Sequence, residues 1–378
     1  MSKAVYTALF ISLFATMLGV GIVAPLMAIY AESFGATGFM LGMVFSVFSI
    51  ARTIFSTPAG KLGDSIGKKP LLVTGLGMYS LLSIAYAYAP SLEALIAVRM
   101  LHGLSSALVA PVALAYVGDI APKGEEGRYM GTFLISFFLG FGLGPLIGGV
   151  LEDMLGMRAA FTAMGLLSLF ALLMTMVFVP NTRGSIKKDG GVKRALKSKV
   201  VVGGVIFRIG NSIGIGAVMV FLPLYIVHSG LNESQAGILL STNILVSAIF
   251  QRKFGAVADR SDPFILILVG SLMYGLGIAA IPLFKAFLHL LVLSFLMGMG
   301  SALSVSAAMA VVAREGRKYG MGSVMGVFDS AMGVGFILGP ITLGIVFDAL
   351  GTLNGFITAG LVNFAGSAIF FGASRLHE

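Results

Sequence analysis

Cysteine is absent from the 378 residues, which excludes disulfides, thiolate metal sites and cysteine nucleophiles. Histidine is scarce, and the four present (His102, His228, His289 and His377) lie on separate stretches, so they form no ligand cluster. Charge is scarce too, at 11% of residues, where soluble domains carry about a quarter. A Walker phosphate loop, an HExxH zinc motif and an evident appended soluble domain are also missing, which leaves little to support a membrane-embedded enzyme or sensor. No cofactor or metal is expected.

What is present is apolar. Hydrophobic residues make up 57% of the chain and the mean hydropathy is +1.00. Twelve apolar runs, near 5–30, 39–58, 70–89, 92–117, 129–151, 159–180, 200–227, 234–251, 264–283, 287–312, 320–347 and 353–373, are each long enough to cross a hydrocarbon core of about 30 Å. The first run is too long for a signal peptide and is read as the first spanning helix.

The net charge of +9 would suit nucleic acid, but its placement argues against that partner. With an even number of spans and both termini cytoplasmic, 20 of the 25 Lys and Arg fall on the cytoplasmic side. The opposite side holds only Arg158 and Lys285. This is the positive-inside asymmetry of a multi-pass protein of the cell membrane. The partner that this asymmetry implies is the lipid bilayer, and nucleic acid is not expected.

The chain is also duplicated. MGTFLISFFLGFGLGPLIGG at 130–149 returns 195 positions later as MGVFDSAMGVGFILGPITLG at 325–344. The same offset pairs Gly42 with Gly237, Gly60 with Gly255, Asp64 with Asp259 and Gly103 with Gly298. Two six-helix halves, 1–180 and 200–378, are expected, joined by a polar, basic cytoplasmic linker at 181–199. Parallel repeats of this kind are one of the patterns that bind a substrate near the bilayer midplane.

Three stretches carry a family resemblance. Gly60-Lys-Leu-Gly-Asp-Ser-Ile-Gly-Lys-Lys69 resembles motif A of the major facilitator superfamily, with Ser65 where that family usually has arginine. Arg99-Met-Leu-His-Gly103 resembles its motif B, with His102 in the glutamine place. Gly140-Phe-Gly-Leu-Gly-Pro-Leu-Ile-Gly-Gly149 resembles motif C, associated with drug:proton antiporters. In that motif Gly140, Gly144 and Gly148 share one helix face, where a second helix can approach closely, and Pro145 adds a kink. The surface it packs on is expected to be helix 8 or another gate helix.

The resemblance implies an all-α integral membrane protein of twelve helices in two pseudo-symmetric bundles, a secondary active transporter working by alternating access. It implies a cytoplasmic gate of Gly60, Asp64, Gly67, Lys68, Asp119 and Asp259. Asp64 would sit on the N-terminus of helix 11 near 319–322, Lys68 would pair with Asp64 and Asp119, and Asp259 would face the start of helix 5. The helix 5 motif comprises Gly140, Gly144, Pro145, Gly148 and Gly149. It points to proton-coupled efflux of amphipathic, drug-like molecules.

Candidates for substrate binding or proton coupling are the ionisable residues inside spans, which are costly in lipid and usually face a cavity or a partner. These are Asp329, Arg208, Arg99, His102 and Arg52. Asp329 is the one acid far from a helix end, with Leu134 at its repeat position, and it either exchanges a proton in a desolvated setting or pairs permanently with Arg208. Arg99 either joins in coupling or reaches out to the headgroups. Asn211, Asn243, Gln251, Met27, Met219, Phe133 and Phe328 are further polar or soft candidates. An embedded acid is lacking in helix 1, and the three intramembrane arginines would suit an anionic metabolite. A carrier of a sugar, organic anion or other metabolite is thus the alternative.

Overall fold

The computed structural model describes residues 3–120, 126–181, 195–258, 260–319 and 321–375. Among them are eleven α-helices: α1 (Lys3–Ser33), α2 (Gly38–Ile66), α3 (Lys68–Tyr86), α4 (Leu92–Ile120), α5 (Glu126–Leu155), α6 (Met157–Phe178), α7 (Lys199–His228), α8 (Glu233–Ala258), α9 (Pro263–Ala280), α10 (Phe287–Tyr319) and α11 (Met321–Arg375). The helices are apolar on nearly every side, as expected where both neighbours and lipid are apolar.

Their ends are set by local chemistry. Gly67, between α2 and α3, takes φ +104°, a conformation that L side chains rarely adopt. Asp262 caps α9 by accepting the Phe264 N–H at 2.9 Å, and Pro263 follows at the first helical position. In α11, Gly351 (φ +79°) breaks the helical path. The two arms, 321–350 and 352–375, correspond to the eleventh and twelfth apolar runs.

The expected twelve spans are thus eleven helices with one internal break. Nine of them are long and apolar enough to cross a membrane. The two that fall short are α3, which begins Lys68-Lys69, and α8, which carries Glu233, Gln235, Asn243, Gln251, Arg252 and Lys253.

The chain forms two compact units. Unit 1 comprises Met1–Gly35, Val47–Lys187 and Asn232–Ser241, and unit 2 comprises Ala36–Ser46, Lys188–Leu231 and Thr242–Glu378. Each unit thus takes in a short helix end from the other half of the sequence. Unit 1 is built around Leu9, Met17, Leu72, Tyr116 and Phe133, unit 2 around Phe207, Val312, Phe328 and Phe370.

Candidate functional site

The glycine face of α5 packs within unit 1, and mostly on α1. A Cβ added at Gly140 would lie 2.6 Å from the Phe14 carbonyl oxygen, one at Gly144 2.5 Å from Gly21 Cα, and one at Gly148 2.8 Å from the Ile22 carbonyl oxygen. Of the surfaces expected, helix 8 or another gate helix, helix 8 meets only Gly149 of these glycines, at the backbone of Glu233 and Ser234, and α1 takes the other three. Unit 2 repeats the arrangement, with Gly335 and Gly339 on Ile209, Ser212 and Ile213 of α7, and Gly344 on Gly38.

The proline kinks are served by serines that the sequence reading did not single out. Pro145 interrupts the backbone ladder of α5, and the Leu146 N–H donates to the Ser241 hydroxyl at 2.9 Å. At the equivalent Pro340, the Ser46 hydroxyl donates to the Ile337 carbonyl at 2.7 Å. Ser46 and Ser241 are themselves 195 positions apart, so each half solves the same problem of backbone groups freed by proline inside an apolar surround. Gly42 and Gly237 make room for this, since a Cβ on either would strike the carbonyl of Pro340 or Pro145.

Two acids near helix ends cap the helices of the other half of the sequence. Asp348 accepts the Gly38 and Phe39 N–H groups at 2.7 and 2.9 Å, capping α2. Its repeat counterpart Asp153 accepts the Ser234 N–H at 3.1 Å, capping α8. Both caps place an anion where a helix start leaves N–H groups unpaired. The 195-residue pairing of Asp153 with Asp348 was a visible signal for them.

In unit 1, α4 carries Arg99 and His102 into a cluster of rings. Arg99 is only 3% exposed, which excludes the alternative of an arginine reaching out to the headgroups. Its guanidinium lies 4.7 Å from the Phe48 ring centre and hydrogen-bonds with Tyr86. His102 is fully buried. Its Nδ1 is 2.9 Å from the Tyr86 hydroxyl, Nε2 has no hydrogen-bond partner, and the Tyr79 ring stands edge-on at 3.9 Å. The Tyr79 hydroxyl donates to the Thr16 carbonyl at 2.8 Å. Gly103 allows α2 to come this close, because a Cβ there would strike the Phe48 carbonyl.

Tyr86 therefore partners two buried polar groups at once. Tyr86→Phe is expected to destabilise the protein by about 1–3 kcal/mol, the cost of leaving buried polar groups unmatched. The check is a lowered melting temperature in detergent, and an unchanged one would show that the hydroxyl matters little.

In unit 2, Arg208 on α7 is half-buried among soft and polar neighbours. Nη1 reaches Asn211 Oδ1 at 3.5 Å, Nη2 reaches Met332 Sδ at 2.9 Å, and the guanidinium carbon is 5.4 Å from the Phe328 ring centre. Nε has no hydrogen-bond partner. Asn211 continues to Asn363 Oδ1 at 3.4 Å, and Asn363 donates to the Ser271 carbonyl at 2.9 Å.

Asp329 follows Phe328 on α11, close enough for its charge to act on Arg208, yet no N–O approach within 4.0 Å joins them. The fixed ion pair is therefore not formed. Asp329 is also exposed, which corrects the expectation of a desolvated carboxylate: its helical position is deep, but its side chain points out of the bundle's packed interior.

Arg52 is half-buried on α2, and its carbonyl accepts the Ser56 hydroxyl. Lys68, 2% exposed, forms an ion pair with Asp119. The Asp64 side chain and residue Asp259 lie outside the described residues, so the expected contact of Asp64 with the start of helix 11 does too. Gly60 lies in α2 with open space about it.

The internal duplication agrees with comparison to known proteins. The Major Facilitator Superfamily model matches residues 9–210 and again 204–377. The chain belongs to this superfamily. As a member it is a multi-pass membrane transporter of small molecules and not an enzyme, and the double match restates the internal repeat.

Among superfamily relatives, an uncharacterised MFS-type transporter of Methanocaldococcus jannaschii is 32% identical over 355 residues, 92% of each chain. Quinolone resistance protein NorA of Staphylococcus aureus is 25% identical over 358 residues, 92% of this chain and 91% of NorA. Of solved structures, a bacterial homologue of the human lysosomal transporter Spinster, inward-facing and occupied, aligns with a TM-score of 0.84 at 14% identity, over 98% of this chain and 96% of the other. The nucleoside transporter NupG aligns with a TM-score of 0.80 at 15% identity over 100% of both chains. At those identities the structures show the fold alone.

Proposed function

We propose that the protein is a proton-coupled exporter of amphipathic, drug-like small molecules, working by alternating access. The observation that carries this is the α5 motif in its structural setting: Gly140, Gly144 and Gly148 seated on α1, with Pro145 kinked and its freed backbone taken up by Ser241. In this reading α5 stays seated on α1 through its glycines while the proline gives it a point at which to bend, as alternating access requires. The full-length similarity to a quinolone resistance protein supports efflux.

In this reading the halves 1–180 and 200–378 rock against each other, joined by the linker 181–199. The motif A loop, with Gly60, Asp64, Gly67, Lys68, Asp119 and Asp259, closes the cytoplasmic side. Asp329 takes up and releases the coupled proton, Arg208 binds substrate, and Arg99, His102 and Arg52 support the N-terminal half of the cycle. The protein works as a monomer in the cell membrane with both termini cytoplasmic.

The test is purified protein in liposomes with a pH-sensitive dye inside, an imposed proton gradient, and a panel of cationic, neutral and anionic amphiphiles. Proton movement that depends on an amphiphile is the expected result. Solute flux without proton movement would make the protein a facilitator. One observation favours a second reading, a carrier of anionic metabolites: Arg208 has no carboxylate within 4.0 Å among the described residues. Proton movement with anions alone would select it.

A further inference from the structure

Arg208 and Asp329 are neighbours that do not bond. A guanidinium presents five N–H donors in a planar fork suited to a carboxylate. Here two of its contacts are a long one to Asn211 at 3.5 Å and a weak acceptor, Met332 Sδ. Nε, which together with a terminal nitrogen makes the usual two-pronged grip on a carboxylate, is buried and unpartnered. Such a buried donor on a cation calls for an anion. Asp329 would be that anion, yet it stays beyond 4.0 Å, is exposed, and has no hydrogen bond or ion pair among the described residues. Asn211, Met332 and Phe328 hold the guanidinium in place between α7 and α11. The result is one held cation with an unpartnered nitrogen and one exposed carboxylate, near each other beside Phe328 and Met332.

We propose that the exported amphiphile is a zwitterion, whose carboxylate docks on Arg208 and whose cationic amine sits opposite Asp329. This rests on the proton-coupled export reading and adds the substrate class to it. The charge arrangement also sets the direction of coupling. A proton arriving at Asp329 neutralises the carboxylate that holds the amine, so proton and substrate displace each other, which is exchange. A purely anionic substrate would do the reverse: neutral Asp329 would leave Arg208 more attractive to it, and proton and anion would travel together.

The experiment uses the full-length protein in liposomes and three probes on one scaffold: an aryl-piperazine carboxylic acid, its methyl ester, which keeps only the cation, and its N-acetyl form, which keeps only the anion. The zwitterion is expected to be carried about tenfold better than either derivative, the worth of one charge-assisted contact. Arg208→Gln should erase the preference for the acid over the ester, and Asp329→Asn the preference over the N-acetyl form. Arg208→Lys, which keeps the cation, should retain part of the first preference and guards against reading misfolding as loss of recognition. Equal transport of acid and ester by the unaltered protein, preferences unchanged in the variants, or no transport of any of the three would overturn the zwitterion assignment. Export itself would fail separately, if no amphiphile of any charge drove proton movement while labelled solute still crossed.

Discussion

Gly144→Ala is expected to abolish solute flux and to lower the melting temperature sharply, although alanine favours a helix by about 1 kcal/mol over glycine. The atoms in the way decide the sign. A Cβ at this position would lie 2.5 Å from Gly21 Cα, 2.7 Å from the Gly21 carbonyl carbon and 2.7 Å from the Leu18 carbonyl oxygen. All three belong to the α1 backbone and cannot rotate aside, so the two helices must separate. Their remaining contacts, at Gly140 and Gly148, would loosen with them. Overpacking typically costs about 1–3 kcal/mol and occasionally more, and here it falls on the helix proposed to tune alternating access. Gly60→Ala supplies the opposite case. Gly60 also lies inside a helix, but nothing stands within 4 Å of a Cβ there, so a gain of about 0.5–1 kcal/mol is expected. Equal melting temperatures for the two variants would refute the close α1–α5 packing as the reason for the glycine stripe.

Asp329→Asn is expected to eliminate solute-dependent proton movement while leaving the protein folded and able to exchange labelled solute. Stability should change little, within about 0.5 kcal/mol, because the side chain is exposed and the substitution removes no contact. The coupling should change completely, because asparagine cannot take up a proton in the working pH range. This separation is what makes the variant informative: a buried acid would confound lost coupling with lost fold. Retained coupling would move the proton role elsewhere, with Glu32 or His102, whose buried Nε2 has no hydrogen-bond partner, next in line.

The membrane class was legible from composition alone, since an apolar chain with so little charge has no soluble solution. The duplication was legible because glycines and prolines at a constant offset are backbone requirements, and a backbone requirement survives wherever the same bend or close approach recurs. Arg99 and His102 could be singled out for the same kind of reason: a polar group in an apolar helix must find a partner. What that partner is, Tyr86 in both cases, lies 13 and 16 positions earlier on another helix and left no mark in the local pattern.

The tertiary structure decided everything that depends on which surfaces meet. Periodicity along α5 showed that Gly140, Gly144 and Gly148 share a face, but a helical pattern is blind to what stands opposite, and α1 rather than α8 occupies it. Depth along α11 suggested a desolvated Asp329, but depth counts residues from a helix end, whereas exposure depends on the rotation of the helix against its neighbours. Ser46, Ser241, Asp153 and Asp348 read as ordinary polar residues until the helices they serve were beside them. The sequence by itself determined class, repeat and which residues had to be satisfied, because those follow from local chemistry and the absence of water. Tertiary structure alone assigned the partners, because each is a contact between residues distant in the chain, chosen by the packing of whole helices.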